Sequence, residues 1–243
     1  MSGRETARAS GRQRLSRRQR TEAPVPQQNT GKLVRFGILA LPLSGLLTLV
    51  GLLSRYDIPN PRVDPKATAQ AASSTGYFVG QFVGSILGLT LLIFGILALT
   101  AYLANTRARG LAQAAMVLAL TSIALILSAL GVTTYALPVI GRAYLNGQQG
   151  AIPIAEAIFS APAREVFVLV FLLYSAAFIL FGVAIWRSGV LRRGAAISLG
   201  LHAPLFSSFI RAQPNIGTVI GALLFILGSA LIALDVSRKP PAS

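Results

Sequence analysis

Six stretches of this chain carry no Asp, Glu, Lys or Arg: Phe36–Ser54, Tyr77–Leu103, Leu111–Ile140, Val166–Trp186, Gly194–Ile210 and Ile216–Leu234. They are 19, 27, 30, 21, 17 and 19 residues long and hold 133 of the 243 residues. A hydrocarbon layer of roughly 30 Å is crossed by about 20 helical residues rising about 1.5 Å each. Five of the stretches reach or nearly reach that length. Lipid offers the backbone no hydrogen-bond partners, so a crossing segment must satisfy its own N–H and C=O groups, which a helix does. The alternation of period 2 that marks a membrane β-strand is missing. The expectation is an all-α, polytopic transmembrane bundle of six helices over residues 36–236. The fifth stretch sits at the short limit and contains His202, Pro204, Ser207 and Ser208. The alternative is therefore five spanning helices plus a re-entrant segment.

Charge placement suggests an orientation. The chain has 22 basic and 7 acidic residues, a net charge of +15. With six helices and the N-terminus inside, 16 basic residues fall on inner segments and 6 on outer ones. Cytoplasmic loops are enriched in Lys and Arg, so both termini are expected in the cytoplasm of a cell membrane, most simply a bacterial inner membrane. Residues 1–35 read as a disordered basic cytoplasmic tail and 237–243 as a short second one. The natural partners are the bilayer and, at the first tail, anionic lipid head groups at about 1 kcal/mol per basic residue. Nucleic acid is disfavoured, because no aromatic residue interleaves the arginines to stack on bases. Arg17-Arg18 forms a twin-arginine pair. However, Phe36–Ser54 exceeds a signal h-region of about 7–15 residues, so a retained first span is expected.

The ends of the spans carry their own signals. Asp64-Pro65 is a helix start, a carboxylate cap followed by proline in the first turn. The second helix is therefore expected to begin outside the membrane near Lys66. Within the loop after the third span, Ile154, Ile158 and Phe159 fall on one side of a short helix, which is expected either to rest on the outer leaflet or to plug the bundle mouth. Glu165 and Arg211 stand at the outer ends of consecutive antiparallel helices and are candidates for a rim ion pair.

Few residues offer chemistry. Cysteine is absent and His202 is the single histidine, which leaves no multi-histidine or thiolate metal site within one chain. H-E-x-x-H and G-x-x-x-x-G-K are both missing, so zinc-peptidase and nucleotide-hydrolysing readings lack support. No catalytic residues, metal or cofactor are expected. An ionisable group inside a span is a functional candidate by default, and His202 is one. By helical rise, Tyr174 comes within reach of it, and Gln81 adds a third polar group for binding a solute or a proton. The bland alternative is a neutral histidine hydrogen-bonded to Tyr174. Ser198, one turn before His202, lies in Ala196-Ile197-Ser198-Leu199-Gly200. That run loosely matches a G-x-S-x-G elbow but lacks the strand-to-helix turn the elbow needs.

Glycine forms the strongest local pattern. Gly76, Gly80, Gly84 and Gly88 recur every fourth residue and make one flat stripe on the second helix; Gly217 and Gly221 begin another on the sixth. Small residues let membrane helices approach closely. Ordinary packing inside the bundle is the favoured reading, with a homo-oligomer face as the alternative.

The run from Ala184 to Arg193, and Trp186–Arg193 in particular, resembles uncharacterised bacterial multi-pass membrane proteins of about six helices. Their inner loop often reads tryptophan, a small or basic residue, Ser-Gly, then Leu-Pro-Arg-Trp; here Arg192 stands for the proline and Gly194 for the second tryptophan. The resemblance implies architecture alone, since that family brings no activity with it. The expected function is a non-enzymatic membrane scaffold or accessory subunit of a membrane complex. A small transporter or channel-like protein is the alternative, and an intramembrane serine hydrolase at Ser198 and His202 comes third.

Overall fold

A computed structural model describes residues 27–54, 63–158, 160, 162–207 and 216–238. Helices, and no strands, make up the regular structure of these residues. The chain divides into two compact units, Met1–Lys32 and Leu33–Ser243. Of the first, only the helical residues from Gln27 are described.

Eight helices follow in order. They are α1 (Gln27–Leu53), α2 (Pro65–Ala72), α3 (Thr75–Leu103), α4 (Arg109–Leu145), α5 (Ala151–Ile158), α6 (Ala163–Ser188), α7 (Arg193–Ser207) and α8 (Ile216–Arg238). Five of them, α1, α3, α4, α6 and α8, are long and apolar enough to cross a membrane. The fifth expected span, Gly194–Ile210, differs. Its described helix α7 has 15 residues, about 22 Å of rise, and Pro204 lies within it. The expected tail boundary also moves. Helix α1 begins at Gln27 rather than Phe36, because nothing between Pro26 and Phe36 interrupts helical winding. The remainder of that tail, residues 239–243, Phe159 and Arg211 lie outside the described residues.

The exterior shows which solvent the fold is built for. On α1, Phe36, Leu39, Leu43, Leu46, Val50 and Leu53 are all about half or more exposed, while Ile38, Leu41 and Ser44 face inward at 1%. A contiguous apolar face of this kind is a liability in water and is what acyl chains solvate. The hydrophobic sorting of a water-soluble helix is therefore missing. What distinguishes the inner face is residue size. On α4 the fully buried positions include Ala112, Ala115, Ala119 and Ser122, and α6, which packs on α4, fully buries Ala177, Phe181 and Ala184. With no water to exclude, close van der Waals approach drives association.

Helices α1 and α3 run antiparallel along a glycine seam. A Cβ at Gly37 would stand 2.7 Å from Ala98 Cβ, and one at Gly95 would stand 2.5 Å from Leu41 Cδ2. At the other end Gly84 lies against the Gly51 backbone and Gly80 against the Ser54 side chain. Over this closest approach, Gly80–Leu87, α3 winds as a π-helix. Helix α2 starts where Asp64 Oδ1 accepts a hydrogen bond from Ala67 N at 2.9 Å, and it packs on α4 at Gly141. Helix α6 ends at Gly189, whose φ of 68° is left-handed, a glycine stop that lets the chain reverse into α7.

Candidate functional site

Helix α7 lies between α6 and α8, antiparallel to both. Its register on α8 can be followed along its length. Arg192 N bonds to Asp235, Ser198 and Leu199 meet Gly228, and Phe206 meets Gly221. On α6, a Cβ at Gly182 would stand 2.8 Å from Ala196 O and 3.1 Å from Gly200 Cα. Bare backbone on both neighbours holds α7 closely, and His202 is fixed at mid-depth as a result. Gly217 lies one turn before Gly221 on α8.

His202 is 2% exposed. Its Nδ1 stands 2.6 Å from Leu199 O and its Nε2 stands 3.3 Å from Tyr174 Oη. A carbonyl oxygen only accepts, so Nδ1 carries the proton and Nε2 accepts from the tyrosine hydroxyl. Three aromatic rings enclose the imidazole: Phe178 at 4.5 Å, Phe225 at 4.8 Å and Tyr174 at 5.8 Å between ring centroids. A further α6–α7 bond, Ser175 Oγ to Ser207 Oγ at 2.8 Å, lies beyond it. Ser198 is one turn away and buried, yet both ring nitrogens bond elsewhere.

The structure brings His202 and Tyr174 together and places Gln81 apart from them. Gln81 is 1% exposed and belongs to a ladder along α3. Its Nε2 donates to Tyr77 Oη at 3.0 Å, and its Oε1 accepts from Ser85 Oγ at 3.1 Å. Ser85 rather than Gln81 reaches the wall of a central cavity of about 90 Å³, which Tyr174 and His202 also line. Ser44 and Thr48 of α1 complete its polar lining; the rest is carbon, from Leu89, Phe171, Phe206 and Phe225 among others. Sequence reasoning missed Ser44, Thr48 and Ser85 because a small hydroxyl in an apolar run carries no signal until the facing helix is known.

A second polar cluster was also not foreseen. Asp235 follows directly on the last charge-free stretch and reads from sequence as a residue beyond the span. It is 8% exposed inside α8. Its Oδ1 is 2.8 Å from Arg192 Nε and its Oδ2 accepts from Arg192 N at 2.9 Å. The carboxylate thus caps the start of α7, where the helix dipole favours negative charge. At the same end of the bundle Arg107 Nε donates to Arg187 O at 2.5 Å, and Arg193 stacks over Trp186 at 4.9 Å. The loops α3–α4 and α6–α7 and the end of α8 therefore share one face. Glu165 is exposed at the opposite face; its expected partner Arg211 lies outside the described residues. Among the described residues no group of three acidic or histidine side chains could hold a metal ion.

No family model, curated protein or solved structure matches the chain. The geometry of these side chains therefore carries the functional reading.

Proposed function

We propose that this protein is a non-enzymatic integral membrane scaffold or accessory subunit. The observation that carries the reading is the state of His202. Both ring nitrogens are committed to Leu199 and Tyr174, which leaves the imidazole no free donor or acceptor for a solute, a proton relay or a nucleophile. Gln81, Ser85 and Ser44 are likewise engaged: Gln81 with Tyr77 and Ser85, and Ser44 with Leu41 O. A histidine satisfied in this way fastens α6 to α7.

Six crossings belong to the same proposal. Helix α8 ends beside Arg192, at the face where α6 also ends. A spanning helix that ends there begins at the other face, which supports a further crossing between Ser188 and Ile216. Counted with Phe36–Ser54 onward, that restores an even number of passes and puts both ends of the chain on one side. The excess of arginine at that side supports a cytoplasmic assignment, with the basic tail held against anionic lipid. The resemblance of Trp186–Arg193 to six-helix bacterial membrane proteins fits this architecture.

The test is affinity purification of the full chain from membranes in mild detergent, with partners identified by mass spectrometry. A stoichiometric membrane partner or a homo-oligomer is the expected result. The central cavity, which all of α1, α3, α4, α6, α7 and α8 line, favours transport as a second reading. Solute flux in proteoliposomes that disappears with His202→Phe would replace the scaffold reading with that one.

A further inference from the structure

The end of the bundle opposite the Arg192–Asp235 pair holds a second cavity, of about 300 Å³, between α2, the start of α3 and the last turns of α4. Ser73, Ser74, Thr75, Thr134, Tyr135 and Arg142 supply its polar wall. We propose that it binds the phosphodiester of a phospholipid head group, with Arg142 as the cation and Thr134 as a hydrogen-bond donor.

Thr134 points to a ligand. It is 0% exposed, and its Oγ1 has no hydrogen-bond partner. A threonine in a membrane helix ordinarily returns its hydroxyl to a carbonyl one turn back. Its neighbour Thr133 does so, donating to Leu130 O at 3.1 Å. Thr134 instead leaves a buried hydroxyl unsatisfied on a cavity wall, a costly arrangement that an acceptor in the cavity corrects. Ser73 and Ser74 have no hydroxyl proton left for a ligand in the cavity, since they donate to Ala69 O at 2.7 Å and Ala71 O at 2.8 Å. Arg142 is exposed, and no described carboxylate pairs with it.

Charge and position select the ligand. One guanidinium balances the single negative charge of a phosphodiester, whereas free phosphate at neutral pH carries closer to two. The wall also meets lipid: Tyr135 lies on the α4 face with Val132 and Val139, which are 45% and 56% exposed. The Tyr135 ring rests 6.1 Å from Phe78. Aromatic rings at that depth are typical of the interface where head groups lie. The site lies at the end of the bundle opposite Arg107, Arg187 and Arg192 and so is separate from any binding there.

Full-length protein, stripped of lipid by exchange into a maltoside detergent in phosphate-free buffer, would be titrated with dioctanoyl phosphatidylglycerol. Binding is read by native mass spectrometry. Dioctanoylglycerol and inorganic phosphate serve as the separate halves of the ligand. The expected result is that the lipid binds more tightly than either half. Arg142→Gln should weaken the tightest site by about tenfold, as loss of a charge-assisted contact does. Thr134→Val should weaken it by about fivefold, while Thr134→Ser, which keeps the hydroxyl, and Arg107→Gln on the other face leave it unchanged. Equal binding of inorganic phosphate would make this a soluble-anion site and overturn the proposal. So would a Thr134→Val protein that melts higher than the parent without lipid and binds lipid unchanged, since the hydroxyl would then be a packing fault. Should Arg142→Gln fail to fold, Thr134→Val against Thr134→Ser still decides the matter.

Discussion

Replacing Gly84 with alanine adds one carbon where α1 and α3 approach most closely. That carbon would land on the Cα and N of Gly51 and 2.8 Å from Leu47 O. Carbon atoms rest at roughly 3.5–4.0 Å, and all three obstacles are backbone, so no rotamer change relieves the overlap and the helices must part. Overpacking of this kind costs about 1–3 kcal/mol, and an obstruction made of backbone belongs at the upper end. Alanine's better helix propensity returns at most about 1 kcal/mol, which leaves a net loss of about 2 kcal/mol. Gly76, in the same stripe, behaves oppositely. A Cβ there meets only Ser74 Oγ, at 3.9 Å, so Gly76→Ala should be neutral or stabilise by up to about 1 kcal/mol. Unfolding of both variants in mixed dodecylmaltoside–dodecylsulfate micelles, followed by far-ultraviolet circular dichroism, reads the difference directly. A Gly84→Ala protein as resistant to dodecylsulfate as the parent would refute the close α1–α3 contact and the packing account of the stripe.

Other consequences are simpler. Asp235→Ala removes the acceptor of the Arg192 N–H and should cost about 1–2 kcal/mol in the same unfolding assay, most of it from the backbone bond, because the half-exposed Arg192 side chain contributes little. Asp235→Asn, which retains one acceptor oxygen, should lose less; a neutral alanine variant would contradict the capping role. Tyr174→Phe should cost about 0.5–1 kcal/mol, the usual worth of an interhelical hydrogen bond in a membrane protein, with no change in partner recovery. Loss of the partner at unchanged stability would show that the pair does more than fasten helices. A fluorophosphonate probe should leave Ser198 unlabelled in native membranes, since His202 has no nitrogen to activate it; labelling that disappears with Ser198→Ala would reverse the non-enzymatic reading.

The chain's own order of residues was enough for the solvent, the helical class and the approximate ends of most helices. These properties are local. A run without charge either satisfies its backbone as a helix or cannot enter lipid, whichever neighbours it meets, and Asp64-Pro65 caps α2 through atoms three residues away. His202 and Tyr174 were also within reach of helical rise, because consecutive antiparallel helices share a depth scale. Pairing across distant helices was not legible. The stripe repeats every fourth residue, yet Gly84 lies against backbone and Gly76 faces open space. Asp235 looks like a residue past the membrane until Arg192, 43 positions earlier, comes to meet it. Thr133 and Thr134 are identical letters, one returning its hydroxyl to its own helix and the other leaving it toward a cavity. Hydrogen bonding of the backbone in lipid is settled within one turn, whereas the choice of which face meets which depends on shapes brought together from the whole sequence.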